Sequence, residues 1–410
     1  AVMNDKQLYV DMIGLAGACS YALDCIESEI FHVKNRHGKR VAYMSVCMAK
    51  YFGITGDALQ DLAVCALLHD NALAQYIAEE LQDKQNPDSA KDRTESATNF
   101  HCVYGEKNIA QLPFQTDVSN VILYHHERAD GTGTFQKKWH EVPLFARIIH
   151  LADCVDVIGG RGDFDRQKWL FVCQYLSEQE NKLFDAECVQ AFFEVFKEED
   201  FTMLNTDAFE SKLWTLIPRE KRLFDWETCK NVADFFANIV DYKSSFTSTH
   251  SIGVAAKAAA FAKYIGYDAC TVQKMYLAGA LHDIGKMAIG NEILEKPDKL
   301  SDAEFDKMKN HAAYTYFILS EVNDFEDIRD WAALHHEKLN GKGYPFGKTA
   351  DELNEQERIM ACIDIYQALT EDRPYKKGLS HEKTCDILDD MAKNNFIDSA
   401  IALKIRDCFK

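Results

Sequence analysis

The chain has 410 residues, with 65 acidic against 46 basic side chains and a formal net charge of −19. At 47% hydrophobic and 27% charged residues it reads as globular rather than disordered, and its length predicts two or three domains. So large an excess of acid excludes a nucleic-acid polymer or an anionic membrane as a general surface partner, because both demand a basic face. A small anionic ligand in a local Lys/Arg pocket stays compatible with it.

No stretch approaches the roughly 18–20 uninterrupted apolar residues of a membrane span, and the Ala-rich run 254–262 is broken by Lys257. No basic leader followed by an apolar core is seen, and the 13 cysteines are scattered with no CxxC pair. Dispersed cysteines in odd number read as buried free thiols in a reducing compartment, so the expected location is the cytoplasm. Gly and Pro are sparse, at 20 and 7. Apolar residues fall at helical spacing in Val41-Tyr43-Met44-Val46-Cys47-Met48 and again in Val254-Ala258-Phe261-Ala262-Ile265. The predicted class is all-α.

Along the chain one pattern is met twice. Ala49–Gly53 reads AKYFG and Ala262–Gly266 reads AKYIG, an offset of 213 residues. The same offset carries His37 onto His250 and His69-Asp70 onto His282-Asp283. After small length changes His101 corresponds to His311, His125-His126 to His335-His336, and Asp153 to Asp364. The tails match as well, Phe184-Asp185 against Phe396 and Asp398. The repeat predicts two helical domains, 1–203 and 204–410, with the division inside the charged stretch between Lys197 and Arg222.

A single His on an apolar helix is usually a satisfied core residue. Seven imidazoles and carboxylates recurring in one order in two copies point instead to metal ligands of the kind that suit Fe, Mn, Zn or Ni. An adjacent His-Asp pair lets the carboxylate bridge two ions while its neighbour binds one, and two ions about 3.5–4 Å apart suit in-line attack on a phosphoester.

The second copy carries LHDIGK at Leu281–Lys286, His311, HHEKLNGKGYP at His335–Pro345, and DRPY at Asp372–Tyr375. These motifs, in this order and spacing, resemble the HD-GYP family of cyclic-dinucleotide phosphodiesterases over about residues 250–409. The resemblance implies an α-helical bundle that hydrolyses 3′,5′-phosphodiester bonds of cyclic di-GMP and its relatives. It implies two divalent metals per site, and for the mixed His and carboxylate donor set iron is expected first and manganese next. His250, His282, Asp283 and Asp364 would hold one ion, and Asp283, His311, His335 and His336 the other. Lys286 would stabilise phosphate charge beside the bridging Asp283. Lys342, Gly343, Tyr344 and Arg373 are the candidate substrate contacts. Phe246 stands where trinuclear members carry a Glu, so two metals and a single cut to the linear dinucleotide are expected.

The first copy keeps the whole ligand pattern in His37, His69, Asp70, His101, His125, His126 and Asp153, together with Glu127, Gly131 and Gly133. It loses the surrounding chemistry: Leu73 replaces the Lys, Gly133-Thr134-Phe135 replaces GYP, and Gly160-Arg161-Gly162 stands in place of DRPY. The pattern fits a metal-loaded, catalytically weak partner, a scaffold with a relic site, or a second active site. A degenerate copy before an intact one resembles bacterial phosphodiesterases acting on 3′3′-cyclic GMP-AMP. Two other readings fit the residues: a non-catalytic cyclic-dinucleotide receptor, and an HD phosphohydrolase of another nucleotide. The oligomeric state is open, with the two domains expected to pair within one chain.

Overall fold

The computed structural model describes every residue except 1–7, 32–35, 74, 77–96, 244–248, 295, 297 and 373–376. Phe246 and Arg373 therefore lie outside the described residues. Among the described residues the chain is helical throughout, apart from one two-stranded sheet, in agreement with the all-α expectation. It divides into two compact units, 12–220 and a second made of 221–410 with 1–11.

In the first unit the helices are α1 (Met12–Phe31), α2 (His37–Tyr51), α3 (Gly56–Leu67), α4 (Ala97–Ile109), α5 (Leu144–Ile158), α6 (Arg166–Gln179), α7 (Ala186–Val195), α8 (Glu198–Met203) and α9 (Ala208–Leu216). Helix α2 is the centre of this unit and packs on α1, α3, α5, α7 and α9. Val41, Met44, Val46 and Met48 are all fully buried, so α2 is apolar on nearly every side, as a central helix must be.

The second unit repeats the plan with α10 (Trp226–Tyr242), α11 (His250–Tyr264), α12 (Ala269–Leu281), α13 (Asn291–Leu294), α14 (Asp302–Leu319), α15 (Glu326–Ala333), α16 (Glu355–Thr370), α17 (His381–Lys393) and α18 (Ser399–Cys408). Here α11 is central, between α10, α12 and α16. Side chains close the helix starts: Asp268 accepts from the Thr271 N–H, and Ser301 with Glu304 and Asn354 with Glu357 form capping boxes. The matching tails also have a structural meaning. Asp185 and Asp398 cap α7 and α18 and accept ion pairs from Arg147 and Arg358, at 2.6 and 3.0 Å.

The division falls between Glu220 and Lys221 rather than at 203/204, because α9 packs against α2 and so belongs to the first unit. The start of the chain belongs to the second unit. Strand β1 (Leu8–Val10) pairs antiparallel with β2 (Arg222–Phe224), with Leu8 opposite Phe224 and Val10 opposite Arg222. Leu8 and Val10 are buried, and Asp11 accepts from the Asn323 N–H at 3.3 Å. Three-residue strands are too short to register as a period-two pattern.

Phe261, fully buried near the C-terminal end of α11, is the natural probe of this packing. Phe261→Ala is expected to destabilise the second unit by about 3–5 kcal/mol, read as a fall in its denaturant midpoint. An unchanged midpoint would show that α11 is not the core helix.

Candidate metal centres

In the second unit the seven expected residues converge. His250 opens α11, His282 ends α12, Asp283 precedes the 3-10 turn Ile284–Ala288, His311 lies in α14, His335 and His336 follow α15, and Asp364 lies in α16. All but His336 are buried. The 3-10 turn lies directly on α14, and Gly285 is what permits this. A Cβ there would sit 1.9 Å from the His311 carbonyl oxygen and 2.6 Å from the Thr315 nitrogen. The Gly285 N–H donates to the Thr315 hydroxyl, which itself donates to the His282 carbonyl, so the turn and α14 are locked together.

Three imidazoles are oriented in the same way. The Nδ1–H of His282 donates to Gly279 O at 2.7 Å, that of His311 to Met308 O at 2.6 Å, and that of His335 to Ala332 O at 2.6 Å. A neutral imidazole has one N–H, so each Nε2 is left as a lone pair facing the cluster. Those three Nε2 atoms and Asp283 Oδ1 are buried without a hydrogen-bond partner. Unsatisfied acceptors grouped so closely are costly in a metal-free core and are what a cation would satisfy.

Asp283 faces both ways. Its Oδ2 lies 3.1 Å from His282 Nε2, while its Oδ1 lies 3.4 Å from His311 Nε2 and 3.9 Å from His335 Nε2. On the first side Asp364 Oδ1 lies 3.1 Å from His250 Nε2 and 3.7 Å from His282 Nε2. His250, His282 and Asp283 thus form one donor group and His311, His335 and His336 another. The residues fit two cations sharing Asp283.

The charges follow this arrangement. Burial works against ionising Asp283, but His282 and Lys286 overcome it and hold its carboxyl well below the usual range. Burial also opposes a charge on His250, yet bonds to Asp364 and Glu371 raise it to about 9. Burial together with imidazole neighbours keeps His335 well below its ordinary value, and burial with His311 and Lys286 outweighs Asp364 to bring His336 to about 3. Lys286 is ion-paired with Asp283 at the rim of the cluster.

The GYP loop is built on Glu337. Its carboxylate accepts the N–H groups of Phe346, Gly347 and Lys348 at 2.7, 3.0 and 3.0 Å. Gly343 lies against Lys338, where a Cβ would meet the Lys338 nitrogen at 2.4 Å. The Tyr344 ring packs on His336 with centroids 4.7 Å apart, so the aromatic residue does border the cluster. Lys342 is exposed, with its backbone N–H on Asn340.

The first unit reproduces the arrangement. Asp70 Oδ2 lies 3.3 Å from His69 Nε2 and Oδ1 3.7 Å from His101 Nε2, and Asp153 lies 3.4 Å from His37. His69 and His125 donate Nδ1–H to Ala66 O and Ile122 O, and Glu127 accepts from Phe135 and Lys137.

Two orienting carboxylates escaped the sequence reading. Glu371 accepts the Nδ1–H of His250 at 3.0 Å, and Asp156, held by Arg40, does the same for His37 at 2.7 Å. The signal was present in the spacing: Asp156 follows Asp153 by one helical turn, and Glu371 follows Asp364 by two. Cys102, beside His101, is a further residue that the repeat alone did not single out.

The HD domain family matches residues 22–187 and 234–401, so the chain belongs to the HD-domain proteins and carries two copies of the domain. It is similar to the 3′3′-cGAMP-specific phosphodiesterase 1 of Vibrio cholerae serotype O1, at 29% identity over 386 residues covering 86% of this chain and 84% of that protein. A cyclic di-GMP phosphodiesterase of Pseudomonas aeruginosa is 39% identical over 144 residues, 34% of this chain and 35% of that one. The crystal structure of a cyclic GMP-AMP-specific phosphodiesterase of V. cholerae has the same fold, with a TM-score of 0.67 at 23% identity and 98% coverage of both chains. No helix among the described residues is long and apolar enough to cross a membrane.

Two outcomes follow from the site. Glu371→Gln, which weakens the carboxylate holding His250, is expected to lower metal affinity in the second unit by about 10–100-fold, measured by competition with a chelator. Unchanged affinity would remove Glu371 from the site. In the metal-free chain, burial depresses His125, His126, His150, His311, His335 and His336, which then take up protons only on unfolding as the pH falls below about 6.5. His69 and His250, raised to about 9, give up their contribution as the pH rises through that value. The denaturation midpoint of the metal-free chain should therefore fall as the pH is lowered from about 6.5 towards about 4, and a flat profile would contradict the burial of these neutral rings.

Proposed function

We propose that the chain is a metal-dependent phosphodiesterase that opens a cyclic dinucleotide to the linear dinucleotide in its second unit. The observation that carries this reading is the bridging placement of Asp283 between two groups of oriented, unsatisfied imidazoles, with an ammonium at the rim. His250, His282, Asp283 and Asp364 would hold one cation, and Asp283, His311, His335 and His336 the other. Bound divalent cations supply Lewis acidity and the positive charge that this acidic chain lacks. The mixed imidazole and carboxylate set favours iron, with manganese next.

The chain's own groups then divide the work. Helix-carbonyl bonds fix the tautomers of His282, His311 and His335, so no proton has to move before they ligate. Lys286 lies at the entrance beside Asp283. Its ammonium would face a non-bridging phosphate oxygen and the charge that builds up during attack. Tyr344, packed at a tilt against His336 by the Glu337-built loop, offers an aromatic face to a base. Arg373 and Lys342 remain candidates for the second phosphate.

The preferred substrate is 3′3′-cyclic GMP-AMP. The relative that parallels both units of this chain carries that specificity in its name, whereas the cyclic di-GMP phosphodiesterase parallels about one unit. That shorter but more identical match favours cyclic di-GMP as the second substrate.

Incubation with each dinucleotide, nucleotide chromatography and metal analysis test the reading together. Wild type is expected to convert 3′3′-cyclic GMP-AMP to the linear form faster than cyclic di-GMP. Lys286→Ala should lose about 100–1,000-fold in turnover with its metal content unchanged. Equal loss of metal and activity would make Lys286 structural. No turnover of either compound with both cations bound would leave a receptor, and release of inorganic phosphate or pyrophosphate from mononucleotides would indicate another nucleotide hydrolase.

A further inference from the structure

Lys243, which ends α10, is only 8% exposed, and its ammonium donates to the Met287 carbonyl at 2.6 Å. A lysine is rarely buried so deeply, because an ammonium out of water is costly unless polar groups receive it. Met287 belongs to the 3-10 turn Ile284–Ala288 that carries Lys286. Within that turn the Lys286 N–H donates to Asp283 O at 2.8 Å and the Ile289 N–H to Lys286 O at 3.0 Å. So short a turn has little hold on its own shape. It is gripped from two sides instead. On α14, Thr315 accepts the Gly285 N–H at 3.0 Å and donates to the His282 carbonyl at 2.9 Å. From α10, Lys243 takes the carbonyl one residue beyond Lys286.

The first unit allows a comparison position by position. Asp24 accepts the Gly38 N–H at 3.0 Å and Asp241 the Ser251 N–H at 3.2 Å, so the two aspartates are equivalent. That equivalence sets Ile26 where the second unit has Lys243. By the same repeat Ala72 stands for Gly285, Gly105 for Thr315 and Leu73 for Lys286. The first unit holds its turn by other means, the Asn71 amide donating to the Leu68 and Gly105 carbonyls at 2.9 and 3.2 Å. Four residues around one turn therefore change together. A need of the shared helical frame would keep Lys243 in both copies. Its absence where Lys286 is also absent ties the buried ammonium to the one that the turn presents.

We propose that Lys243 is a positioning residue for Lys286: its buried ammonium fixes the Lys286-bearing turn against α10 and so sets where the Lys286 ammonium stands beside Asp283. Lys243 bonds the backbone of the turn, and the seven ligand positions of the second unit are filled without it. Its work is therefore distinct from ligation. A charge-assisted bond to a carbonyl is stronger than a neutral one, which suits a contact that has to hold a short turn in place. Placement matters at this point, because a displacement of about 1 Å near the chemistry is enough to cost about 100-fold in rate. The inference rests on reading the second unit as the hydrolytic one.

The test uses the full chain loaded with manganese and two variants, Lys243→Met, which keeps length but donates nothing, and Lys243→Arg, which restores a cationic donor. Amide hydrogen exchange of the segment 284–290, read by mass spectrometry, should speed up at least about 10-fold in Lys243→Met and return towards wild type in Lys243→Arg. Turnover of 3′3′-cyclic GMP-AMP should fall about 10–100-fold in kcat for Lys243→Met, with KM and metal content unchanged, and recover in Lys243→Arg. Adding Lys243→Met to Lys286→Ala should cost nothing further, since the ammonium to be positioned is already gone. Unchanged exchange in 284–290 overturns the proposal, as does a parallel loss of metal or an additive effect in the double variant. A wild type that hydrolyses neither dinucleotide defeats the phosphodiesterase reading instead, and the exchange comparison then decides the Lys243 contact by itself.

Discussion

The site depends on one short hydrogen bond made five times. His69, His125, His282, His311 and His335 each donate Nδ1–H to the carbonyl three residues earlier, at 2.6–2.8 Å. For His69, His282 and His335 that carbonyl lies in the last turn of a helix, where backbone acceptors lack an intrahelical partner. One bond therefore satisfies the helix end, fixes the tautomer and aims a lone pair inward. The cost is a group of unsatisfied nitrogens around Asp283, tolerable in a core only if a cation completes them. Metal binding and folding are coupled by that requirement.

Given this scaffold, the two copies diverge by few changes. Both keep an aspartate placed between two histidine groups, Asp70 or Asp283, and both build the following loop on a glutamate, Glu127 or Glu337. The carboxylate behind the first histidine comes from different places. Asp156 is anchored by a buried Arg40 in one copy, whereas in the other Gln367 and Gly253 occupy the corresponding positions and Glu371 takes over the His250 contact. Chemistry is altered at the rim by Leu73 for Lys286 and inside by Cys102 for Ala312.

Much of this was legible beforehand, for physical reasons. Buried helices such as α2 and α11 announce themselves by apolar spacing, and a ligand set repeated at nearly constant offset cannot be a chance of composition. The first-to-last pairing of β1 with β2 was not legible, because three-residue strands leave no pattern and the partners, Leu8–Val10 and Arg222–Phe224, are far apart along the chain. Nor was the division at Glu220–Lys221, which is set by where α9 packs rather than by any break in composition. Glu371 and Asp156 were missed because their importance lies in which atom they face. Lys342, a candidate substrate contact by its loop position, is exposed.

The central claim is that hydrolysis belongs to the cluster around Asp283 and not to the one around Asp70. The direct measurement is steady-state cleavage of 3′3′-cyclic GMP-AMP by full-length Asp283→Asn and Asp70→Asn, each with metal content determined by mass spectrometry. The account predicts that Asp283→Asn abolishes turnover, while Asp70→Asn retains product formation at the second unit. Turnover that survives in Asp283→Asn and disappears in Asp70→Asn would contradict it.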